Sequence, residues 1–206
     1  MGKFLPEQQH LYCNKHPLVK YAVNARIKAL LNKISSNDSV LEAGSGEGYI
    51  TLLIAKKAAR VVGIDIDKRF IASSKKRLAK AKITNTEIIH GDILTFSSKI
   101  KFDKIICSEV LEHLENPAPA IENLAKLLKP EGNLIITIPN EKVLNVARKL
   151  AFPKNWRTIK QNTGHKIELN SRLISKLASD LKLRTVAVER IPIPFPYLNE
   201  LIVLKK

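Results

Sequence analysis

The sequence predicts an α/β fold, a doubly wound and mostly parallel sheet, and three observations predict it. Short apolar runs alternate with helical stretches from Ser39 onward, a glycine-rich turn joins the first run to the first helix, and the polar residues suited to chemistry follow the ends of the runs. Before the first run, Leu18, Val19, Ala22, Ile27, Leu30, Leu31 and Ile34 recur at roughly helical spacing over residues 17–34. Pro17 stands at a first-turn position there, so an amphipathic helix is expected. The runs are Val40-Leu41, Val61-Val62-Gly63-Ile64, Glu87-Ile88-Ile89, Lys104-Ile105-Ile106-Cys107 and Leu134-Ile135-Ile136-Thr137-Ile138. Helical stretches are predicted at about 48–58, 67–82, 117–128 and 141–151. The tail adds a helix at about 171–182 after Asn170-Ser171 and a strand at 184–189. A Pro-rich turn, 191–196, then leads to a last strand at 201–204, and the last two strands are expected to close the sheet in antiparallel fashion.

Composition sets the outer limits. The 206 residues are 45% hydrophobic and 26% charged, which is globular composition, and the length fits one domain. Residues 1–38 read as a helical extension, 39–140 as a cofactor-binding core and 141–206 as an acceptor side with closing strands. No apolar run reaches the ~20 residues of a membrane span, and the N-terminus lacks a signal-peptide stretch. A soluble, cytoplasmic protein is expected. Cys13 and Cys107 are far apart and form no Cys-x-x-Cys unit, so neither a disulfide framework nor a cysteine zinc site is indicated, and Cys107 reads as a small core residue.

The net charge is +16, from 35 basic and 19 acidic residues. It is unevenly spread: residues 1–38 carry +4 (6 minus 2), residues 39–141 carry +2 (15 minus 13) and residues 142–206 carry +10 (14 minus 4). The excess lies mainly outside the cofactor-binding half. Two readings fit it, a lysine-rich surface kept soluble by charge and a face that attracts anions such as nucleic acid.

Four polar elements follow the runs in order. The first is Glu42-Ala43-Gly44-Ser45-Gly46-Glu47-Gly48, where glycines permit a sharp turn and bring bare backbone against a ligand. By itself such a turn fits several nucleotide-binding enzymes or no ligand at all. The second, Val61 to Asp67, ends a strand in Asp65 about 20 residues beyond the glycines, where an acid can accept from both hydroxyls of an unphosphorylated ribose. Glu47 and Asp67 read as solvated or helix-capping. The third is His90-Gly91-Asp92-Ile93, and the fourth runs from Phe102 through Ser108 to Glu109-Val110-Leu111-Glu112-His113. Their joint order is far more specific than any one of them.

In this order the residues resemble the class I S-adenosylmethionine-dependent methyltransferases, in the branch that includes ubiquinone-biosynthesis methyltransferases, over roughly residues 39–140. The resemblance implies a Rossmann-like seven-stranded sheet, mostly parallel with a closing antiparallel strand, and S-adenosylmethionine as methyl donor. It places Glu42, where the family more often has Asp, with Gly44, Ser45, Gly46 and Gly48 around the methionine part. It places Asp65 and Ile66 at the ribose, Asp92 and Ile93 at the adenine, and Ser108 beside them.

Methyl transfer is an in-line displacement, so the enzyme aligns the acceptor and, for a hydroxyl, removes or weakens its proton. Glu109, Glu112 and His113 stand at i, i+3 and i+4, one face of a helical turn, and with His165 form a candidate set for catalysis and for a divalent cation. The unit resembles two uses in the family: a divalent metal in some polyprenyl-catechol O-methyltransferases, and Mg²⁺ in small-RNA 2′-O-methyltransferases. The other reading is a histidine that lines the pocket or caps a helix without metal. Ile138-Pro139-Asn140-Glu141 and His165-Lys166-Ile167-Glu168 are similar to strings of the RNA branch and to strings of small-molecule relatives. The absence of an Asn/Asp-Pro-Pro-aromatic string counts against amino methylation of bases, and the absence of a cysteine nucleophile after Pro counts against C5 methylation of pyrimidines. Trp156, Tyr12, Tyr21 and Tyr197 could stack a planar acceptor, with core packing as the alternative. The expected acceptor is a small or lipid-like molecule methylated at oxygen, the second candidate is RNA, and the third is a cofactor-binding protein without catalysis.

Overall fold

A computed structural model describes residues 17–151, 164–192 and 197–206. Its elements are α1 (Pro17–Leu31), β1 (Ser39–Ala43), α2 (Tyr49–Ala55), β2 (Arg60–Asp65), α3 (Lys68–Lys80), β3 (Thr86–His90), β4 (Phe102–Ser108), a 3₁₀ turn (Leu111–His113), α4 (Ala118–Leu127), β5 (Leu128–Pro139), α5 (Glu141–Ala151), α6 (Ser171–Asp180), β6 (Arg184–Ile191) and β7 (Asn199–Lys205). The seven strands form one sheet in the order β3-β2-β1-β4-β5-β7-β6. β1 pairs in parallel with β2 and β4, and β4 with β5, whereas β7 runs antiparallel to both β5 and β6. The closing antiparallel strand is therefore inserted between β5 and β6 rather than added at the rim.

The apolar runs that lack alternation in sequence alternate in space. Leu41, Val62, Ile105, Leu134, Ile136, Ile202 and Leu204 face one core with Ile121 and Leu124 of α4 and Ile174 and Ala178 of α6. Val40, Val61, Ile106, Ile135, Leu201 and Val203 face the opposite core with Ile27 and Leu30 of α1 and Ile50 and Ile54 of α2. A strand buried on both faces needs apolar residues at every position, which is why these runs read as continuous. Burial of both faces is the main stabilising term for the sheet.

Helix starts follow local chemistry. Asp67 caps α3 by accepting from the Arg69 N–H, as its helix-capping reading expects, and Asn170 caps α6 by accepting from the Leu173 N–H. The start of β5 differs from the sequence reading. β5 begins at Leu128, directly at the end of α4, with a register shift against Phe102 and Lys104 and with Glu131 at φ 65°. Two steps on β4, from Phe102 to Lys104, stand against five on β5, from Leu128 to Asn133, and these three extra residues explain why the strand is legible in sequence only from Leu134 onward. Cys107 is free and buried, while Cys13, Tyr12, Trp156 and residues 193–196 of the Pro-rich turn lie outside the described residues. Among the described residues, no helix is long and apolar enough to cross a membrane.

Candidate active site

The carboxyl ends of the parallel strands deliver all four polar elements to one edge of the sheet, beside the β1/β4 position where strand order reverses. Behind β1, Gly44, Gly46 and Gly48 adopt φ 80°, 52° and 75°. A Cβ on Gly44 would stand 2.3 Å from Val110 Cγ2, and one on Gly48 would stand 2.2 Å from Ser74 Oγ. The turn is pinned to β2 by Gly44 N and Ser45 N, which donate to the Ile64 carbonyl at 2.9 and 2.8 Å. Ser45 is buried, and its hydroxyl has no hydrogen-bond partner. A buried polar atom without a partner at a ligand-facing turn is the kind of group a bound molecule satisfies.

Asp65 stands at the end of β2 and braces the turn: Oδ2 accepts from Gly46 N at 2.8 Å and Oδ1 from Asp67 N at 2.9 Å. Burial pushes its carboxyl up, opposed by those two N–H donors. A carboxylate offers about four lone-pair sites, so both oxygens keep capacity for further donors. Glu42 lies on the α2 side of β1, 2% exposed, where the Thr51 hydroxyl donates to it. Burial pushes its carboxyl up to about 8.

Asp92 Oδ1 accepts from Leu94 N at 2.9 Å and so closes its own turn. Ile93, expected beside a bound ring, packs in the main core at 7% exposure, whereas Ile66 and Leu94 are 67% and 39% exposed. The turn geometry that lets Asp92 face outward sends the next side chain inward. Ser108 Oγ and Thr137 Oγ1 share a hydrogen bond of 2.8 Å across β4 and β5.

Beyond β4 the structure departs from the expected helical face. Glu109 adopts φ 56°, outside the helical region, and only Leu111–His113 form a 3₁₀ turn. The i, i+3, i+4 stacking of Glu109 with Glu112 and His113 is therefore absent, because stacking requires continuous α-helical backbone. Glu109 turns instead to α1 and β7. Its Oε2 is 2.8 Å from Arg26 Nη1, and its Oε1 accepts from Thr137 Oγ1 and Asn199 Nδ2, both at 3.2 Å.

Three of the four expected ligands do meet. Single ligand atoms of Glu112, His113 and His165 all lie within 4.8 Å of one another. Glu112 is 1% exposed and neither of its oxygens has a hydrogen-bond partner; His165 Nε2 stands 4.0 Å from Oε1. Burial and then the Glu109 charge hold the Glu112 carboxyl well above the usual carboxylate range. His113 Nδ1 faces the Gly164 carbonyl at 3.3 Å, and His165 Nδ1 faces Glu141 Oε1 at 2.8 Å. The two rings meet edge to face, with centroids 5.0 Å apart. Burial pushes the His113 imidazole down, which favours its neutral form. These donors fit a cation: two imidazoles with Nδ1 already engaged and one buried carboxyl lacking partners.

Sequence reasoning missed three contributors to this edge, Arg26, Thr137 and Asn199, and gave Glu141 only as part of a string without a role. For Arg26 a signal exists, since it sits in the apolar stripe of α1 between Ala22 or Val23 and Leu30 and is 5% exposed. A charged residue in such a stripe implies a buried partner. Asn199 and Thr137 carry no such signal.

A family model described as a methyltransferase domain matches residues 34–184. A protein named probable S-adenosylmethionine-dependent methyltransferase, from Mycolicibacterium smegmatis, is 30% identical over 139 residues, covering 67% of this chain and 49% of that protein. The ubiquinone biosynthesis O-methyltransferase of Coxiella burnetii is 32% identical over 117 residues, 56% of this chain and 50% of that one. The chain thus spans about half the length of the curated relatives it matches. Among solved structures, magnesium protoporphyrin IX methyltransferase from Synechocystis PCC 6803 with bound SAH superposes with a TM-score of 0.73 at 19% identity, covering 97% of this chain and 92% of that one, and this likeness supports the fold. The family match over residues 34–184, the 30% identical relative and the seven-stranded sheet together show that the chain belongs to the class I S-adenosylmethionine-dependent methyltransferase family.

Proposed function

We propose that the protein transfers the methyl group of S-adenosylmethionine to an oxygen of a small or lipid-like acceptor at the edge formed by Glu112, His113 and His165. The observation that carries the acceptor side is Glu112: a 1% exposed carboxyl without a hydrogen-bond partner, beside two histidines. Such an arrangement costs free energy unless a ligand completes it. Gly44, Ser45, Gly46 and Gly48 would receive the methionine part, Asp65 the ribose and Asp92 the adenine edge. Glu112, His113 and His165 would hold a divalent cation, which when bound lowers the pKa of a hydroxyl beside it. Two imidazoles and one carboxyl suit a first-row transition ion such as Mn²⁺ better than the Mg²⁺ implied by the resemblance, since Mg²⁺ prefers all-oxygen surroundings. Glu109 stands outside that donor set, and its proposed part is to fix the wall between α1, β5 and β7. The O-methyltransferase named among the relatives supports an oxygen acceptor.

The test uses catechols and quinols as acceptors, with and without Mn²⁺ after chelation. Glu112→Ala is expected to abolish turnover while leaving S-adenosylmethionine binding by calorimetry intact. Full activity in the chelated enzyme would remove the cation from the proposal, and full activity of Glu112→Ala would remove the site. A second reading, transfer to RNA, is favoured by the +10 charge of residues 142–206. Salt-sensitive RNA binding would support it, and salt-insensitive or absent binding would not.

A further inference from the structure

Glu141 is the first residue of α5 and is 8% exposed. The residue before it, Asn140, is held by three hydrogen bonds. Asn140 N donates to the Leu198 carbonyl at 2.7 Å, Asn140 Nδ2 donates to the Tyr197 carbonyl at 3.3 Å, and Asn140 Oδ1 accepts from Val143 N at 3.3 Å. The carboxylate therefore leaves a fixed point, and its Oε1 reaches His165 Nδ1 at 2.8 Å.

A neutral imidazole carries one N–H and one lone pair, and a carboxylate only accepts. Two carboxyls face His165 from opposite sides. Glu141 is within hydrogen-bond distance of Nδ1, whereas Glu112 Oε1 is 4.0 Å from Nε2, beyond it. The nearer acceptor takes the proton, so Nε2 is left as the lone pair, aimed at the space shared with Glu112 and His113. Without Glu141 the preference reverses: Nε2–H would turn to the Glu112 carboxyl, and the ring could no longer serve as a ligand. His113 is treated alike by a backbone group, since its Nδ1 faces the Gly164 carbonyl at 3.3 Å.

We infer that Glu141 is a positioning residue, which selects the Nδ1–H tautomer of His165 and thereby makes its Nε2 available beside Glu112 and His113. The inference deepens the cation proposal above, and its consequence for cation affinity rests on that proposal. The consequence for the tautomer does not.

The experiment has two arms on the full chain. Long-range ¹⁵N–¹H spectra of the metal-free protein at alkaline pH report the tautomer of each of the five histidines, with His165→Asn assigning the signal. The expected result is Nδ1–H at His165 in the wild type and in Glu141→Gln, whose amide oxygen still accepts, and Nε2–H in Glu141→Ala. In the second arm, Mn²⁺ titration followed by electron paramagnetic resonance should show binding weakened by roughly 10- to 100-fold in Glu141→Ala and largely restored in Glu141→Gln. If the wild type binds no Mn²⁺ while the tautomer still depends on Glu141, the cation reading fails and the positioning role stands. An Nε2–H signal in the wild type, or an Nδ1–H signal unchanged in Glu141→Ala, overturns the inference whatever the Mn²⁺ result.

Discussion

Replacing Glu42 by Gln tests how the cofactor edge is built, because it removes one titratable group from the sealed space between β1 and α2 and nearly preserves shape. The Glu42 carboxyl is raised from 4.5 to about 8 by burial, with the Thr51 hydroxyl opposing and Asp65 adding. A pKa unit is worth about 1.4 kcal/mol, so the full span is roughly 5 kcal/mol. Since the folded value lies above the unfolded one, the contribution of protonated Glu42 is complete below pH 4.5 and is lost as the pH rises through about 8. Between about pH 5 and about pH 7 the wild type should therefore lose about 2 to 3 kcal/mol that Glu42→Gln keeps. The new amide leaves a donor in apolar surroundings, a cost of ~1–3 kcal/mol that does not vary with pH, so the readout is the slope and not the offset. Urea unfolding of both proteins near pH 5, 7 and 8 gives the difference directly, and the Glu112 titration cancels because both proteins share it. A wild-type-minus-variant difference that stays flat across this range would refute the burial argument.

Gly44→Ala should lower the melting temperature measured by circular dichroism, because the added Cβ would meet Val110 Cγ2 at 2.3 Å in a backbone at φ 80°; a strained residue of this kind costs ~1–3 kcal/mol, and an unchanged melt would contradict the turn geometry. Asp65→Ala is expected to weaken S-adenosylmethionine binding at least about tenfold, since a hydrogen bond to a charged group is worth ~1.5–3 kcal/mol and the Gly46 brace is lost with it. Calorimetry showing equal affinity would end the ribose assignment. Arg26→Met should destabilise by about 2 kcal/mol, less than a fully buried pair because the Glu109 side chain is 24% exposed. Adding Glu109→Gln should recover part of that loss in denaturant titrations, and strict additivity of the two changes would show that the pair is not coupled.

The alternation of strands and helices was legible because its causes are local. Pro17, Asp67 and Asn170 act within one helical turn of their own position, the glycines of 44–48 impose their turn wherever they stand, and a strand covered on both faces must be apolar throughout. The ends of strands could be read for the same reason, and with them the placement of Glu42, Asp65, Asp92 and Ser108 at one edge. How deeply Ile93 is buried was not legible, because one residue of turn geometry decides whether a side chain faces the core or the edge.

What each charged group does there depended on tertiary structure. Glu109 and Glu112 are three residues apart, yet one meets Arg26, 83 positions earlier, and the other stays without a hydrogen-bond partner between two histidines. His165 takes its orientation from Glu141, 24 residues before it, and His113 from Gly164, 51 residues after it. Electrostatic interactions act through space and strengthen where water is excluded, so a sequence supplies the groups while the packing of α1, α5 and the 164–169 segment decides which of them meet. By itself the sequence determined the sheet, the turn and the family; the tertiary structure drew Glu109 away from the expected ligand set and gathered Glu112, His113 and His165 into it.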